Sequence, residues 1–167
     1  MGLVIVLKEV LTMCNKIVKK LRNENNTIAF MESCTGGFLA NCITNISGSS
    51  DVLKMSLITY SNKYKIYFGV DEQIILKHGV YSLQTAEDMS KKVAKIAESD
   101  FAIGITGQLC EPDKNNLTNN ENEVYYSIYD VKNDKIYTEV IKLKKNERKD
   151  LKIEIAKKIF ERMSIVI

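Results

Sequence analysis

Apolar and polar residues follow two different periods along the chain, and the period in each segment predicts a helix or a strand. Residues 4–22 repeat their apolar positions with the spacing of helical turns, which predicts an amphipathic helix. Three later segments, 27–33, 53–60 and 101–107, are short, largely apolar and bounded by turn-forming residues, which predicts strands. The last of these is too apolar for an exposed strand, so we expect it near the centre of a sheet.

The segments around these strands predict the remaining elements. The segment 36–46 predicts a short helix, and two more helices are predicted where Asp71 and Ser82 stand in capping positions. Two strand-like segments on either side of the turn 131–134 predict a hairpin. A final helix is predicted to begin near Glu147.

Helix and strand patterns alternate through the whole chain, without an internal repeat or a linker-like segment. A length of 167 residues is that of one domain with a substantial core. We therefore predict a single α/β domain over residues 1–167, with three α/β/α layers around a mixed, mostly parallel sheet of about five to six strands.

The charge balance indicates no polyanionic partner. The chain carries 24 basic and 21 acidic residues, a net charge of +3. The most lysine-rich segment, 142–152, alternates with acidic residues, which is typical of a solvent-facing surface and not of a nucleic-acid site. We expect no nucleic-acid partner.

Cysteine placement and the opening apolar run bear on cofactors and location. The four cysteines form no CxxC motif and have no neighbouring histidine, so we predict no metal site and no cofactor. Free cysteines are typical of the reducing cytoplasm.

The apolar run 2–7 meets Lys8 and Glu9 too soon for a signal peptide, and no segment is long enough to cross a membrane. We expect a cytoplasmic protein without a membrane partner.

Residues 32–37, ESCTGG, lie where a strand is predicted to give way to a helix. The first N–H groups of a helix lack intrahelical partners and attract anions, and ligands of open α/β sheets bind at the carboxyl ends of strands. These residues fit a nucleophile, Ser33, at a helix N-terminus. They fit equally an ordinary strand-to-helix turn that is capped by Ser33 or Thr35.

A serine nucleophile needs a base. His78 is the single histidine of the sequence, and no pattern connects it to Ser33. A lysine removed from solvent can take the same role, because burial favours its neutral form. The segment 59–65, TYSNKYK, holds lysines directly after a predicted buried strand, which makes it the candidate source of a base.

Four motifs in a fixed order, ESCTGG, TYSNxxK, HGxxS and a strand that ends in Thr-Gly, resemble the CinA C-terminal domain family. The resemblance runs from about residue 8 to about residue 163 and is to the stand-alone form, without the domain that precedes it in full-length CinA proteins. It implies an amidohydrolase of pyridine nucleotide salvage, which deamidates nicotinamide mononucleotide to nicotinic acid mononucleotide and ammonia. It also implies a homo-oligomer, with a dimer favoured.

The resemblance implies a role for individual residues. Ser33 corresponds to the nucleophile and Lys65 to the general base of a Ser-Lys mechanism, while His78 is expected to be structural. N–H groups near the glycine pair are expected to hold the oxyanion or the phosphate, and an arginine before the last helix to pair with the phosphate. The implied substrate-binding residues are Thr35, Gly36, Gly37, Tyr60, Thr106, Gly107 and Arg148.

The segment 108–122 departs from the family pattern. Cys110 and Glu111 stand where the family has glycines, and Asn122 stands where it has the glycine of a Gly-Thr pair. Glu111 and Asp113 also add negative charge. Two alternatives therefore stay open, a non-catalytic relative that binds a nucleotide or a protein partner, and an amidase for a less negatively charged amide.

Overall fold

The computed structural model describes residues 2–116, 118 and 121–167, with the side chains of residues 2 and 3 excepted. Six helices and five strands occupy these residues. In chain order they are α1 (Gly2–Asn23), β1 (Ile28–Glu32), α2 (Phe38–Thr44), β2 (Leu53–Ile58), α3 (Asn62–Tyr67), α4 (Glu72–His78), α5 (Leu83–Ala97), β3 (Phe101–Gly107), β4 (Glu123–Asp130), β5 (Lys135–Lys142) and α6 (Arg148–Val166). A short 3-10 turn, Ser49–Asp51, precedes β2.

The strands form one mixed sheet in the order β2-β1-β3-β4-β5. Strand β1 is parallel to both of its neighbours, β2 and β3, while the β3–β4 and β4–β5 pairs are antiparallel. Strand β3 is buried along its whole length at the centre, as its apolar sequence predicts. The hairpin around 131–134 is confirmed, and so is the mixed α/β fold.

Helices cover both faces of the sheet and create two cores. On one face α1, α2 and α6 pack with the sheet around a large cluster that includes Cys14, Phe30 and Phe160. On the other face α5 packs on β1 and β3 through residues such as Met89 and Val93. The three predicted layers are therefore present.

Several predicted element boundaries differ from the structure, two of them for reasons that the fold makes clear. The helix predicted over 36–46 spans Phe38–Thr44, because Gly36 and Gly37 have φ values of 61° and 88°, outside the right-handed helical region. The strand predicted over 53–60 ends at Ile58. It is partly exposed, since β2 is an edge strand and not a central one.

The parallel pairing of β1 and β3 brings two of the sequence motifs together. Glu32 at the end of β1 is in register with Ile105, so Ser33 and the Thr106-Gly107 pair leave the sheet at the same edge. Thr59, directly after β2, donates its backbone N–H to the carbonyl oxygen of Glu32. Three strand ends thus converge where a ligand crevice of an open α/β sheet is expected.

Candidate active site

The residues after β1 form a tight turn before α2. The backbone N–H of Gly36 donates to the carbonyl oxygen of Ser33 over 3.0 Å. This turn leaves the backbone N–H groups of Cys34 and Thr35 without an acceptor among the described residues. Both glycines are needed for left-handed backbone, and a side chain at Gly37 would also press on Ile58.

Glu32 caps the N-terminus of α2 with its buried carboxylate. One oxygen accepts the N–H groups of Gly37 and Leu39 over 3.0 and 3.1 Å, and the other accepts that of Ala40 over 2.9 Å. Neither Ser33 nor Thr35 makes this cap. The start of α2 is therefore already occupied by an anion from the protein, which corrects the expectation that its N–H groups are free for a substrate.

The side chains of Ser33 and Lys65 are in direct contact. Lys65 lies on α3 and is 1% exposed, and its Nζ donates to Ser33 Oγ over 3.1 Å and to the carbonyl oxygen of Thr59 over 2.8 Å. Ser33 is itself 6% exposed. A lysine 32 positions away in the chain is thus held within hydrogen-bond reach of the hydroxyl.

Burial lowers the pKa of Lys65 from 10.5 to about 8. The nearby carboxylate of Asp113 favours the charged amine and opposes this shift, but desolvation outweighs it. Burial also raises the pKa of the neighbouring Cys34 thiol to about 12, so this thiol stays protonated at neutral pH. The group that can gain or lose a proton near pH 8 is therefore the Lys65 amine, next to the Ser33 hydroxyl.

A cavity of about 130 Å³ opens in front of this pair. Ser33, Cys34, Tyr60, Gly107 and Arg148 form part of its lining. The guanidinium of Arg148 donates to the carbonyl oxygen of Leu109 and to the hydroxyl of Tyr60, each over 2.7 Å. These two bonds hold a cation at the cavity while Tyr60 remains 61% exposed.

Tyr81 and the segment after β3 form another part of the cavity wall. Asp113 accepts the hydroxyl of Tyr81 over 2.6 Å and the side-chain amide of Asn116 over 2.7 Å. Hydrogen bonds from Asn116 and Tyr81 lower the pKa of Asp113, so it is a carboxylate at neutral pH. Glu111 adds a second carboxylate to this wall.

The described part of the segment after β3 is tied to the rest of the domain. Asn116 accepts from the side-chain amide of Asn62 on α3 over 2.6 Å, and Asn122 accepts the backbone N–H of Cys110 over 2.9 Å. Cys110 and Asn122 have φ values of 67° and 56°. Both therefore adopt the backbone that glycine favours at the positions where the family pattern has glycine.

Four of the predicted substrate-binding residues lie outside the cavity lining. Thr35 is buried and its hydroxyl has no partner among the described residues, while Gly36 is exposed and Gly37 leaves no room for a side chain beside Ile58. Thr106 is fully buried and donates its hydroxyl to the carbonyl oxygen of Val80 over 3.0 Å. Thr106 thus links β3 to the residues before α5.

Gly107 lines the cavity, but the packing of β4, and not the approach of a ligand, explains why this position holds a glycine. A Cβ at this position would lie 2.7 Å from the carbonyl oxygen of Glu123 and 2.8 Å from the Cα of Val124. The close approach of β4 therefore demands glycine here. His78 is exposed at the end of α4 and lies outside the lining of this cavity, beside a different depression with Gln84 and Asp88.

A wider depression of about 630 Å³ lies at the amino end of the parallel strands. Its lining includes Lys19, Arg22, Asn26, Asp51 and Lys54. These side chains are mainly exposed and hold no buried nucleophile with a base, so the smaller cavity at Ser33 is the better candidate for chemistry.

The described residues contain neither a membrane-crossing helix nor a metal-ligand cluster. No helix among them has both the length and the apolar character that crossing a membrane requires. No cluster of three or more histidine, cysteine, aspartate or glutamate side chains with the spacing of a metal site occurs in the same part of the chain.

Sequence reasoning missed Glu32, Tyr81 and Gln108. Glu32 precedes the first helical residue by six positions, so no capping pattern indicates it. Tyr81 and Gln108 reach the cavity through the packing of the segments that carry them. The acidic character of Asp113 is visible in the sequence, and its contacts are not.

Comparisons with known proteins agree with this architecture. The CinA C-terminal domain model matches residues 10–166. A "CinA-like protein" of Shewanella baltica is 36% identical over 114 residues, which cover 68% of this chain and 27% of the relative. The chain thus spans about a quarter of the length of the curated relatives it matches.

Solved structures share the fold at lower identity. The competence/damage inducible protein CihA from Agrobacterium tumefaciens superposes with a TM-score of 0.84 at 22% identity, covering 93% of both chains. A competence or damage-inducible protein from Enterobacter asburiae gives 0.86 at 19% identity, covering 94% of this chain and 97% of the other. With a family match over nearly its whole length, the chain belongs to the CinA C-terminal domain family.

Proposed function

We propose that this protein is an amidohydrolase that converts nicotinamide mononucleotide to nicotinic acid mononucleotide and ammonia through Ser33 and Lys65. The contact of 3.1 Å between Lys65 Nζ and Ser33 Oγ carries the proposal. A lysine pKa of about 8 supports it, because about a tenth of such amines is uncharged at pH 7, whereas at the ordinary value of 10.5 almost none would be. The choice of substrate follows the motif resemblance to the family.

Lys65 acts as the base and then as the acid. Its neutral amine takes the proton of Ser33 as the hydroxyl oxygen attacks the amide carbon, and the resulting ammonium protonates the departing nitrogen, which leaves as ammonia. The acyl group stays on Ser33 as an ester. Water then attacks this ester while Lys65 takes a proton from it. As the bond to Ser33 breaks, the Lys65 ammonium returns this proton to the Ser33 oxygen, and the acid product leaves as a carboxylate after it releases its own proton to solvent.

The oxyanion of each tetrahedral intermediate needs donors. The N–H groups at the start of α2 accept no further anion, since Glu32 already uses those of Gly37, Leu39 and Ala40. The backbone N–H groups of Cys34 and Thr35 have no acceptor among the described residues and belong to the same turn as Ser33. These two N–H groups are the proposed oxyanion donors, and one such donor typically contributes about 3 kcal/mol.

The cavity holds the reacting end of the substrate and not a whole nucleotide. Its volume of about 130 Å³ is below the ~300–1,000 Å³ of ordinary ligand pockets. The carboxamide therefore enters the cavity while the ribose phosphate extends past its opening. Arg148, a permanent cation of the lining, is the side chain best suited to meet the phosphate.

The direct test is incubation of the purified protein with nicotinamide mononucleotide. We expect ammonia and nicotinic acid mononucleotide to form in equal amounts, measured by a coupled ammonia assay and by mass spectrometry. Binding without turnover, observed by calorimetry, would favour the non-catalytic relative that the changed segment 108–122 also permits.

A second candidate function keeps the amidase and changes the substrate. The carboxylates of Glu111 and Asp113 line the cavity beside the single guanidinium of Arg148, and they disfavour a dianionic phosphate nearby. A panel of amides with and without phosphate separates the two candidates. A kcat/KM that is higher for phosphate-free amides would support the second one.

A further inference from the structure

Gln108 places a buried amide donor at the candidate cavity. The residue directly follows β3, lines the cavity and is 4% exposed. Its Nε2 has no hydrogen-bond partner among the described residues. Buried polar groups are rarely left unpaired, because the unmade hydrogen bond is unfavourable. The position therefore favours an acceptor that enters the cavity.

The orientation of the Gln108 carboxamide is set by its other end. Oε1 accepts the backbone N–H of Asp113 over 3.4 Å, and a backbone N–H can only donate, so the oxygen lies on that side and the NH₂ group on the other. Asp113 is held in turn by Tyr81 and Asn116. The donor is thus fixed before any ligand arrives.

We propose that Gln108 is a substrate-binding residue that donates from Nε2 to an uncharged oxygen, a carbonyl or hydroxyl group next to the reacting amide. This inference rests on the proposed function, since it takes the cavity beside Ser33 as the place of reaction. Glu111 and Asp113 line the same wall, so an uncharged acceptor fits this donor better than a phosphate oxygen.

This hydrogen bond makes Gln108 a determinant of specificity. Nε2 is buried and has no acceptor among the described residues of the free protein, so a substrate oxygen that reaches it supplies the missing partner. A compound with an oxygen at this point makes the bond, whereas a compound with an apolar group there leaves the donor unpaired. Sites built on such donors discriminate strongly against substrates that lack the acceptor.

The test compares two variants of Gln108 with a matched control. Gln108→Met keeps the length of the side chain and removes the donor, while Gln108→Glu keeps an oxygen for the Asp113 N–H and replaces the donor with an acceptor. Gln73→Met is the control, because Gln73 is exposed on α4 and lies outside the cavity lining. Circular dichroism and urea unfolding establish which variants are folded.

Kinetics with nicotinamide mononucleotide and with nicotinamide riboside measure how much the hydrogen bond from Gln108 Nε2 contributes to catalysis and binding. We expect Gln108→Met to lose about tenfold in kcat/KM, mainly through KM and to the same extent with both substrates, and Gln108→Glu to lose at least as much. Kinetics like those of Gln73→Met would overturn the inference and leave the amidase intact. A loss confined to the phosphorylated substrate would overturn the assignment of an uncharged acceptor.

A wild-type protein that releases no ammonia from either compound would refute the proposed function separately. Calorimetric titration of wild type and Gln108→Met with the same two compounds then decides the role of Gln108. Weaker binding by the variant supports the role, and equal binding overturns it. An absence of binding by the wild type overturns both proposals.

Discussion

Lys65 donates to Ser33 from a position with no carboxylate partner. Its Nζ contacts Ser33 Oγ over 3.1 Å and the carbonyl oxygen of Thr59 over 2.8 Å, and no ion pair of the described residues includes this amine. A buried ammonium without a counter-charge is unfavourable, which is why the pKa of Lys65 falls to about 8. A neutral Lys65 amine, which can accept a proton, therefore lies next to the Ser33 hydroxyl.

Removal of either partner should abolish amide hydrolysis. We expect Ser33→Ala and Lys65→Ala to lower ammonia release from nicotinamide mononucleotide by about three orders of magnitude or more, because each removes one half of the attacking pair. Lys63→Ala is the matched control, since Lys63 is exposed on the same helix two residues away. More than about a tenth of wild-type turnover in either variant would contradict the pair's role.

Turnover should rise with pH and reach a plateau. The base acts in its neutral form, so kcat/KM should increase through the Lys65 pKa of about 8 and level off above it. The measurement is a series of initial rates from pH 6 to 9.5. A phosphate-free amide should be run in parallel, because the phosphate itself titrates near pH 6. A flat profile over this range would argue against a lysine base.

The unfolding free energy should depend on pH through the same Lys65 pKa, and the direction of this dependence follows from the direction of the shift. The pKa of Lys65 is about 8 in the folded protein against 10.5 as its ordinary value, so burial of the ammonium destabilises the fold below pH 8, and this penalty disappears as pH rises from 8 to 10.5. The shift corresponds to about 3 kcal/mol. Relative to wild type, Lys65→Met should therefore be more stable at pH 7 than at pH 10.

Urea unfolding of both proteins at the two pH values checks this prediction. The lost bonds to Ser33 and Thr59 offset part of the gain at every pH, by about 1 kcal/mol each. The informative quantity is therefore how the difference in unfolding free energy between wild type and Lys65→Met changes with pH. A difference in unfolding free energy that stays constant between pH 7 and pH 10 would show that Lys65 is not desolvated.

The Glu32 cap should support both the fold and the site. Glu32→Gln keeps one acceptor oxygen but replaces the other with an NH₂ group, which cannot accept the backbone N–H groups that this oxygen now accepts. We therefore expect a loss of about 1–3 kcal/mol in unfolding free energy. Turnover should fall as well, since this cap anchors the turn that carries Ser33.

The matched control for this prediction is Glu72→Gln. Glu72 is an exposed acid in the first turn of α4, where a charge at a helix start contributes about 0.3–1 kcal/mol. Urea unfolding gives the stabilities, and amide NMR shifts of Gly37, Leu39 and Ala40 report the cap directly. Equal losses of unfolding free energy in Glu32→Gln and Glu72→Gln would mean that the buried cap stabilises the fold no more than an exposed charge at a helix start does.

Local patterns predicted most of the fold. The apolar run of β3 indicated a central strand, Ser82 and Asp71 indicated helix starts that the structure has, and the turn 131–134 indicated the hairpin. These features depend on residues close together in the chain, whose spacing sets backbone conformation and the buried face. The exposed edge position of β2 was not predicted, because strand order depends on pairing between distant segments.

The candidate site was only partly accessible from the sequence. Motif resemblance indicated Ser33, Lys65, Tyr60, Gly107 and Arg148, which the structure gathers at one cavity or in contact with it. It also indicated Thr106, whose hydroxyl is bonded to Val80 and lies away from that cavity. The substrate, the homo-oligomer and the cytoplasmic location stay predictions.

The sequence by itself determined the order of helices and strands, the mixed α/β class and the kinds of side chain available for chemistry, because these follow from local spacing and residue type. Only the tertiary structure decided that Glu32 occupies the start of α2, that Lys65 loses solvent beside Ser33, and that Gln108 lines the cavity with a buried donor that is unpaired among the described residues. The reason is physical. Burial and hydrogen-bond partners arise where distant segments pack together, and no local pattern records which atoms will meet there.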